Sequence, residues 1–81
     1  MLKSKTETIE IADIWLASAI KSQGIDYLTY RRTEGSRFLV WQFPANEEVR
    51  KIVEQARESS LYVHWRRFVS AYRELSDLKF L

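Results

Sequence analysis

The twelve residues LYVHWRRFVSAY, positions 61–72, combine several side-chain types that could carry out chemistry. They include the only histidine of the chain, His64, the adjacent Arg66 and Arg67, and several aromatic rings. An imidazole can act as a general base beside a serine, and two serines precede this one closely. Arginines mixed with aromatic rings are also typical of surfaces that bind single-stranded nucleic acids.

The remaining sequence argues against catalysis. The chain has no cysteine, so it has neither a thiolate metal site nor a disulfide framework. It also has no glycine-rich phosphate loop, no HExxH motif and no Walker pattern. His64 falls at the edge of an apolar helical stripe, which favours a structural role for the imidazole. We therefore predict a protein that is not an enzyme, with no catalytic residues, no metal site and no cofactor.

The size and composition of the chain predict one small globular domain over residues 1–81. Hydrophobic residues make up 46% of its 81 positions, and glycine and proline are rare. Residues 1–8 are expected to be flexible or to form a short edge strand. No apolar run approaches the roughly 18 residues of a membrane span. Because MLKSKTETIE also lacks a signal-peptide core, we expect a cytoplasmic protein.

Three helices follow from apolar periodicity and capping residues. The first is predicted over 11–23, with Gly24 as a left-handed stop. The second begins after Asn46 as its N-cap and runs to about Ser59. The third is predicted over 61–78, and its apolar stripe assigns three aromatic residues to the core: Trp65, Phe68 and Tyr72.

The segment IDYLTYRRTEGSRFLVWQF reads as a β-hairpin that turns at TEGS. A loop centred on Glu34 and Gly35 pairs Arg32 with Arg37 and Tyr30 with Leu39. In that register the inner face carries Leu28, Tyr30, Leu39, Trp41 and Phe43. The outer face carries Tyr27, Thr29, Arg31, Phe38, Val40 and Gln42. The predicted fold class is α+β, in the order α-β-β-α-α, with an antiparallel hairpin packed on helices.

This order resembles a family of small bacterial and phage-associated proteins that is classed as a domain of unknown function. The similar features are DIWLASAIKSQG, the WQF strand and the pattern formed by Phe68, Arg73 and Leu75, which together span nearly the whole chain. Such families usually carry Phe where this chain has Trp41. The resemblance implies the α-β-β-α-α order, and it implies no activity, ligand or catalytic residue.

The hairpin tip is the first candidate for binding. Arg32 and Arg37 are predicted to face each other beside Arg31, with only Glu34 nearby to compensate, and like charges opposite each other destabilise a hairpin. A phosphate or an acidic partner would relieve this repulsion, whereas in the alternative the long side chains simply splay into solvent. The net charge of the chain, +2, is too small to indicate nucleic acid by itself.

The outer hairpin face is the second candidate. Tyr27 and Phe38 beside Arg31 could stack bases and meet phosphates. Alternatively, Tyr27, Phe38 and Val40 form a homodimer interface. A third alternative is that KTETIEI pairs as a strand on the hairpin edge or folds over this face.

Two hypotheses follow for function. The first is a nucleic-acid-associated protein in which Tyr27 and Phe38 stack on bases and five arginines meet phosphates: Arg31, Arg32, Arg37, Arg66 and Arg67. The second is a protein–protein interaction module, either a homodimer or a small phage-type adaptor or inhibitor, that uses the outer hairpin face.

Overall fold

A computed structural model describes residues 7–33 and 38–78 of the chain. Three helices and three strands lie within these residues, which confirms the predicted α+β class. A strand precedes the first helix, so the order of elements is β-α-β-β-α-α. None of the described helices is both long enough and apolar enough to cross a membrane. The elements are β1 (Thr8–Ile11), α1 (Ile14–Ser22), β2 (Thr29–Arg32), β3 (Leu39–Pro44), α2 (Glu47–Arg57) and α3 (Trp65–Asp77).

The three strands form one antiparallel sheet in the order β1-β3-β2. Of the alternatives for KTETIEI, strand pairing is observed for Thr8–Ile11, whereas residues 1–6 lie outside the described residues. Ile9 pairs with Phe43 and Ile11 pairs with Trp41, so β3 becomes the central strand. Because side chains alternate along a strand, these isoleucines join the inner face of the sheet.

The register of the hairpin differs from the prediction by two residues. Tyr30 pairs with Trp41 and Arg32 pairs with Leu39, so the predicted pairing of Arg32 with Arg37 is wrong. A slip of two residues keeps the residues of β2 and β3 on their predicted faces, since the side-chain period of a strand is two. Leu28 precedes β2 and is 55% exposed, so its predicted place on the inner core face is wrong. Of the predicted turn TEGS only Thr33 is described, and its N–H donates to the Phe38 carbonyl oxygen at 2.9 Å. Residues 34–36 of the turn and Arg37 lie outside the described residues.

The core lies between the inner face of the sheet and the three helices. The largest buried side chains are those of Trp41 and Phe43 on β3. Residues of all three helices belong to the same buried cluster, so the helices cover one face of the sheet. Among the described residues, the Trp41 indole N–H and the Ser18 hydroxyl are buried without a hydrogen-bond partner. The helical members of the cluster include Ala17, Ile20, Val49, Ile52 and Leu75.

Capping residues set the start of two helices close to their predicted positions. α1 begins at Ile14 instead of residue 11, because Ile11 is taken by the sheet and the Asp13 carboxylate accepts a hydrogen bond from the Trp15 N–H at 2.9 Å. Gly24 has a φ of +93°, as expected for a left-handed stop. Asn46 caps α2 as predicted and accepts from the Val49 N–H at 2.9 Å.

The third helix begins four residues later than predicted, at Trp65. Residues 61–64 have no regular secondary structure, and His64 is the N-cap of α3. The prediction that Trp65 is a core residue is wrong, because 73% of its surface is exposed. Phe68 and Tyr72 are half-buried, and the fully buried positions of α3 are Ala71 and Leu75.

Candidate nucleic-acid interface

The segment that leads into α3 exposes two large aromatic rings next to two arginines. We call Tyr62, Trp65, Arg66 and Arg67 the α3 amino-terminal surface. Tyr62 is 90% exposed, and the Gln23 amide holds its backbone by donating to the Tyr62 carbonyl oxygen at 3.3 Å. These residues lie within six positions of one another on a backbone segment that the end of α1 supports.

Trp65 lies in the first turn of α3, where it has too few neighbours to be buried. Its ring lines a shallow groove together with Arg66, Ser70 and Arg73. The helical period alone placed this ring in the core, because the pattern was extended back to residue 61. The sequence held no local signal against that start, because Ser60, a favoured N-cap residue, directly precedes Leu61.

Arg66 and Arg67 line a second groove, between the C-terminal end of α1 and the start of α3. The wall of this groove also includes Ser70 of α3, Lys21 of α1 and Gly24, which follows α1. Both arginines are exposed, and neither guanidinium group forms an ion pair within the described part of the chain. They are therefore cations that an external anion can reach.

Lys21, in contrast, is a cation whose charge is matched within the chain. Its ammonium group lies 2.7 Å from an Asp26 carboxylate oxygen and 3.4 Å from a Glu74 oxygen. The hydrogen bond that Lys21 donates to Asp26 raises the pKa of Lys21, against a smaller opposing effect of burial and with further help from Glu74. The positive charge that this groove offers to a ligand therefore comes from the arginines.

The start of α3 adds to the positive potential of the two arginines. The N-terminus of a helix carries a partial positive charge, and the first turn of α3 contains no acidic residue to offset it. The His64 side chain caps this end by accepting a weak hydrogen bond from the Arg67 N–H to Nδ1 at 3.4 Å. His64 is exposed and has this structural role, in agreement with the interpretation of the sequence.

The hairpin arginines are engaged differently from the prediction. Arg31 forms an ion pair with Glu10 of β1 at 3.3 Å, which the sequence analysis missed because Glu10 lies 21 residues earlier. The alternation of KTETIEI was the signal that could have placed Glu10 on this sheet. Arg32 donates from Nη2 to the Leu78 carbonyl oxygen at 3.5 Å. Arg37 lies outside the described residues.

The length of α3 separates Arg32 of the hairpin from the two arginines at the start of α3. Arg32 lies at the end of α3, beside Leu78, whereas Arg66 and Arg67 occupy its first turn. Twelve residues of helix separate Arg66 from Leu78, which corresponds to about 18 Å at 1.5 Å per residue. The arginines therefore do not form a continuous track from the hairpin to the start of α3.

The aromatic residues of the predicted outer face also divide into two groups. The placement of Tyr27 on that face is wrong: its ring packs edge-on against Phe43, with centroids 6.4 Å apart, and belongs to the margin of the core. Phe38 is 73% exposed, and Val40 is half-buried on the outer face of β3. Tyr27 and Phe38 therefore do not lie together on the outer face.

A second exposed tryptophan, Trp15 of α1, lies over α3. Its ring stacks on Tyr72 with centroids 4.7 Å apart, and on Phe68 with centroids 6.0 Å apart and planes nearly parallel. Even so, 58% of Trp15 is exposed. Periodicity assigned Phe68 and Tyr72 to the core, and the structure makes them the support of this surface ring.

The described residues show no cluster of metal-ligating groups: no three His, Cys, Asp or Glu side chains lie close enough together in residues 7–33 and 38–78 to hold an ion. No protein-family model matches the chain, and neither a curated protein nor a solved structure matches it significantly. The resemblance to a domain of unknown function therefore stays a prediction, and the geometry of the α3 amino-terminal surface is the basis for a functional assignment.

Proposed function

We propose that this chain is a non-enzymatic protein that binds single-stranded nucleic acid at the α3 amino-terminal surface. The observation that carries this proposal is the exposure of Trp65, at 73%, directly beside two arginines that have no ion pair within the described residues. Single-strand-binding surfaces combine aromatic rings, on which bases stack, with cations that meet the phosphates.

The contrast with the hairpin supports this choice of site. Arg31 has an acidic partner in Glu10, so a phosphate would have to compete with a carboxylate that is already in place. Arg66 and Arg67 form no ion pair within the described residues, and the carboxylate that lines their groove, Glu74, is paired with Lys21. The positive end of α3 adds to the potential of the two arginines. Unpaired bases are required for stacking on Trp65, so single strands are the preferred ligand over duplexes.

The proposal predicts different effects on binding for the aromatic ring and for the arginines. Trp65→Ala removes base stacking, which is worth about 1–3 kcal/mol per base, and leaves the phosphate contacts in place. The affinity should fall while its dependence on salt stays unchanged. Arg66→Ala with Arg67→Ala removes two phosphate contacts, so the slope of log affinity against log salt should decrease by about 1.4.

Fluorescence polarisation with labelled single-stranded and duplex oligonucleotides of DNA and RNA, over a series of salt concentrations, measures both effects. The matched control is Arg50→Ala with Arg57→Ala on α2, which removes the same net charge from two exposed positions. The proposal is overturned if the parent protein does not bind at low salt, or if the control pair weakens binding as much as the α3 pair. Far-UV circular dichroism checks that each variant is folded.

A further inference from the structure

The outer face of the sheet lies opposite the helical layer and carries a particular arrangement of charge. Its central strand presents Val40, Gln42 and Pro44 in a line, since each second residue of a strand points to the same side, and the exposed Phe38 directly precedes this strand. β1 on one edge contributes Glu10, and β2 on the other edge contributes Arg31. No described helix covers this face, because all three helices pack on the inner one.

The two flanking charges come from opposite edges of the sheet and meet over the central strand. Arg31 reaches both carboxylate oxygens of Glu10 at 3.3 Å, and Gln42 between them donates to Glu10 Oε2 at 3.2 Å. About half of each charged side chain remains exposed, 54% for Arg31 and 49% for Glu10. The pair is therefore accessible to another molecule on the side away from the helices.

We propose that this face is an interaction surface for a second copy of the same chain, with a two-fold axis that runs parallel to β3. Rotation about such an axis exchanges the two edges of the sheet. β1 of one copy then lies over β2 of the other, so each Glu10 faces the Arg31 of the second copy. The charge pattern is complementary to itself under this rotation, and that complementarity selects a second copy as the occupant.

The distance from Glu10 to Arg31 between two copies is close to the distance from Glu10 to Arg31 within one copy. Glu10 and Arg31 lie two strands apart, about 9.6 Å at 4.8 Å per strand, and packed sheets lie about 10 Å apart. Rotation about an axis along β3 leaves positions along the strand unchanged. The offset of two residues between Glu10 and Arg31 is therefore the same between copies as within one, and an Arg side chain spans it in both cases.

The central strand supplies the apolar part of the interface. Phe38, at 73% exposure, and the half-buried Val40 and Pro44 lie along the axis and meet their own counterparts. Three strands of up to six residues give a face of roughly 300 Å², below the approximately 800 Å² per partner of a standard interface. We therefore expect a weak, concentration-dependent dimer.

A charge-exchange experiment tests this arrangement with the full chain. In Glu10→Arg both flanks of the face are positive, and in Arg31→Glu both are negative, so each variant alone should dimerise at least tenfold more weakly than the parent. When the two variants are mixed, each positive flank meets a negative one, and a heterodimer should form. Sedimentation velocity from micromolar to millimolar concentration gives the dissociation constant of each sample.

The controls separate this face from general charge effects. Glu48→Arg and Arg50→Glu make the same changes of charge on the exposed side of α2 and should leave dimerisation unchanged. Phe38→Ser should abolish the dimer without changing any charge, and it keeps the proposal testable if an edge-strand variant fails to fold. A parent protein that stays monomeric at millimolar concentration overturns the proposal, as does a variant mixture that stays monomeric.

Discussion

Among single residues, Lys21 is a largely buried cation that two carboxylates stabilise. Its side chain is 16% exposed, and it spans the gap between Asp26, just after α1, and Glu74 on α3. The ammonium group also lies 5.9 Å from the centre of the Tyr27 ring. One cation thus ties the end of α1 to α3 and to the margin of the sheet, next to the groove that Arg66 and Arg67 line.

The raised pKa of Lys21 makes stability depend on pH in the alkaline range. Because Asp26 raises the pKa above the unfolded value of 10.5, the charged lysine stabilises the folded state fully below pH 10.5. That contribution is lost as the pH rises through the raised pKa of the folded state. Urea unfolding of the parent protein and of Lys21→Met should show a difference in stability that is constant below pH 10.5 and shrinks above it.

Every other ionisable group is present in both proteins, so its contribution cancels in the difference. A difference that stays constant to the most alkaline pH at which both proteins fold reversibly would contradict the assigned role of Lys21. Lys21→Arg serves as the control, because a guanidinium group keeps its charge throughout this range. Its stability should not show the alkaline loss.

Among the elements, local sequence signals were reliable where a capping residue marks a boundary. Asn46 and Gly24 were predicted correctly because their roles depend on the local backbone alone. The start of α3 was wrong because His64 is not a typical N-cap, so periodicity extended the helix to residue 61. Ile11 was assigned to α1 because its pairing with Trp41 depends on a strand 30 residues away.

The candidate site shows the same division between local and long-range information. The sequence identified Arg66 and Arg67 as unpartnered, since the helix spacing offers them no acidic neighbour. It did not separate them from the hairpin arginines, because that distance is set by how α3 lies against the sheet. It also missed the exposure of Trp65, because α3 begins at this residue and not at residue 61.

Gly24 provides a test at the scale of the element. Its φ of +93° lies in the region that residues with a side chain rarely adopt, and an added Cβ would meet no atom within 4 Å. Gly24→Ala should therefore destabilise the protein by about 1 kcal/mol through backbone strain alone. Gly24→Asn should cost less, since Asn tolerates left-handed conformations better. Urea unfolding measures both, and an Ala variant as stable as the parent would contradict the strain.

For the molecule as a whole, the three tryptophans show where the core and the surface lie. Trp41 is 1% exposed at the centre of the sheet, whereas Trp15 and Trp65 are mostly exposed on the helical layer. The proposed nucleic-acid surface belongs to the helical layer, and the proposed dimer face is the opposite side of the sheet. A dimer through the sheet would therefore leave both α3 amino-terminal surfaces accessible to ligand.

The same substitution at a buried and at an exposed tryptophan tests this division. A chain of 81 residues has a total stability of about 4–12 kcal/mol, and replacing a buried Trp by Ala costs about 3–5 kcal/mol. Trp41→Ala should therefore remove a large part of the stability and leave a marginally folded protein. Trp65→Ala should change the free energy of unfolding by less than about 1 kcal/mol, because little of its ring is covered.

Urea unfolding followed by far-UV circular dichroism compares the two variants with the parent. Trp41→Phe separates the loss of ring volume from the loss of the indole N–H, which is buried without a partner among the described residues. Because that N–H forms no hydrogen bond, its removal should recover free energy. The Phe variant also keeps an aromatic ring in the core, so it should be far more stable than the Ala variant. Equal destabilisation by Trp65→Ala and Trp41→Ala would mean that the start of α3 packs into the core, and the proposed binding surface would then lose its basis.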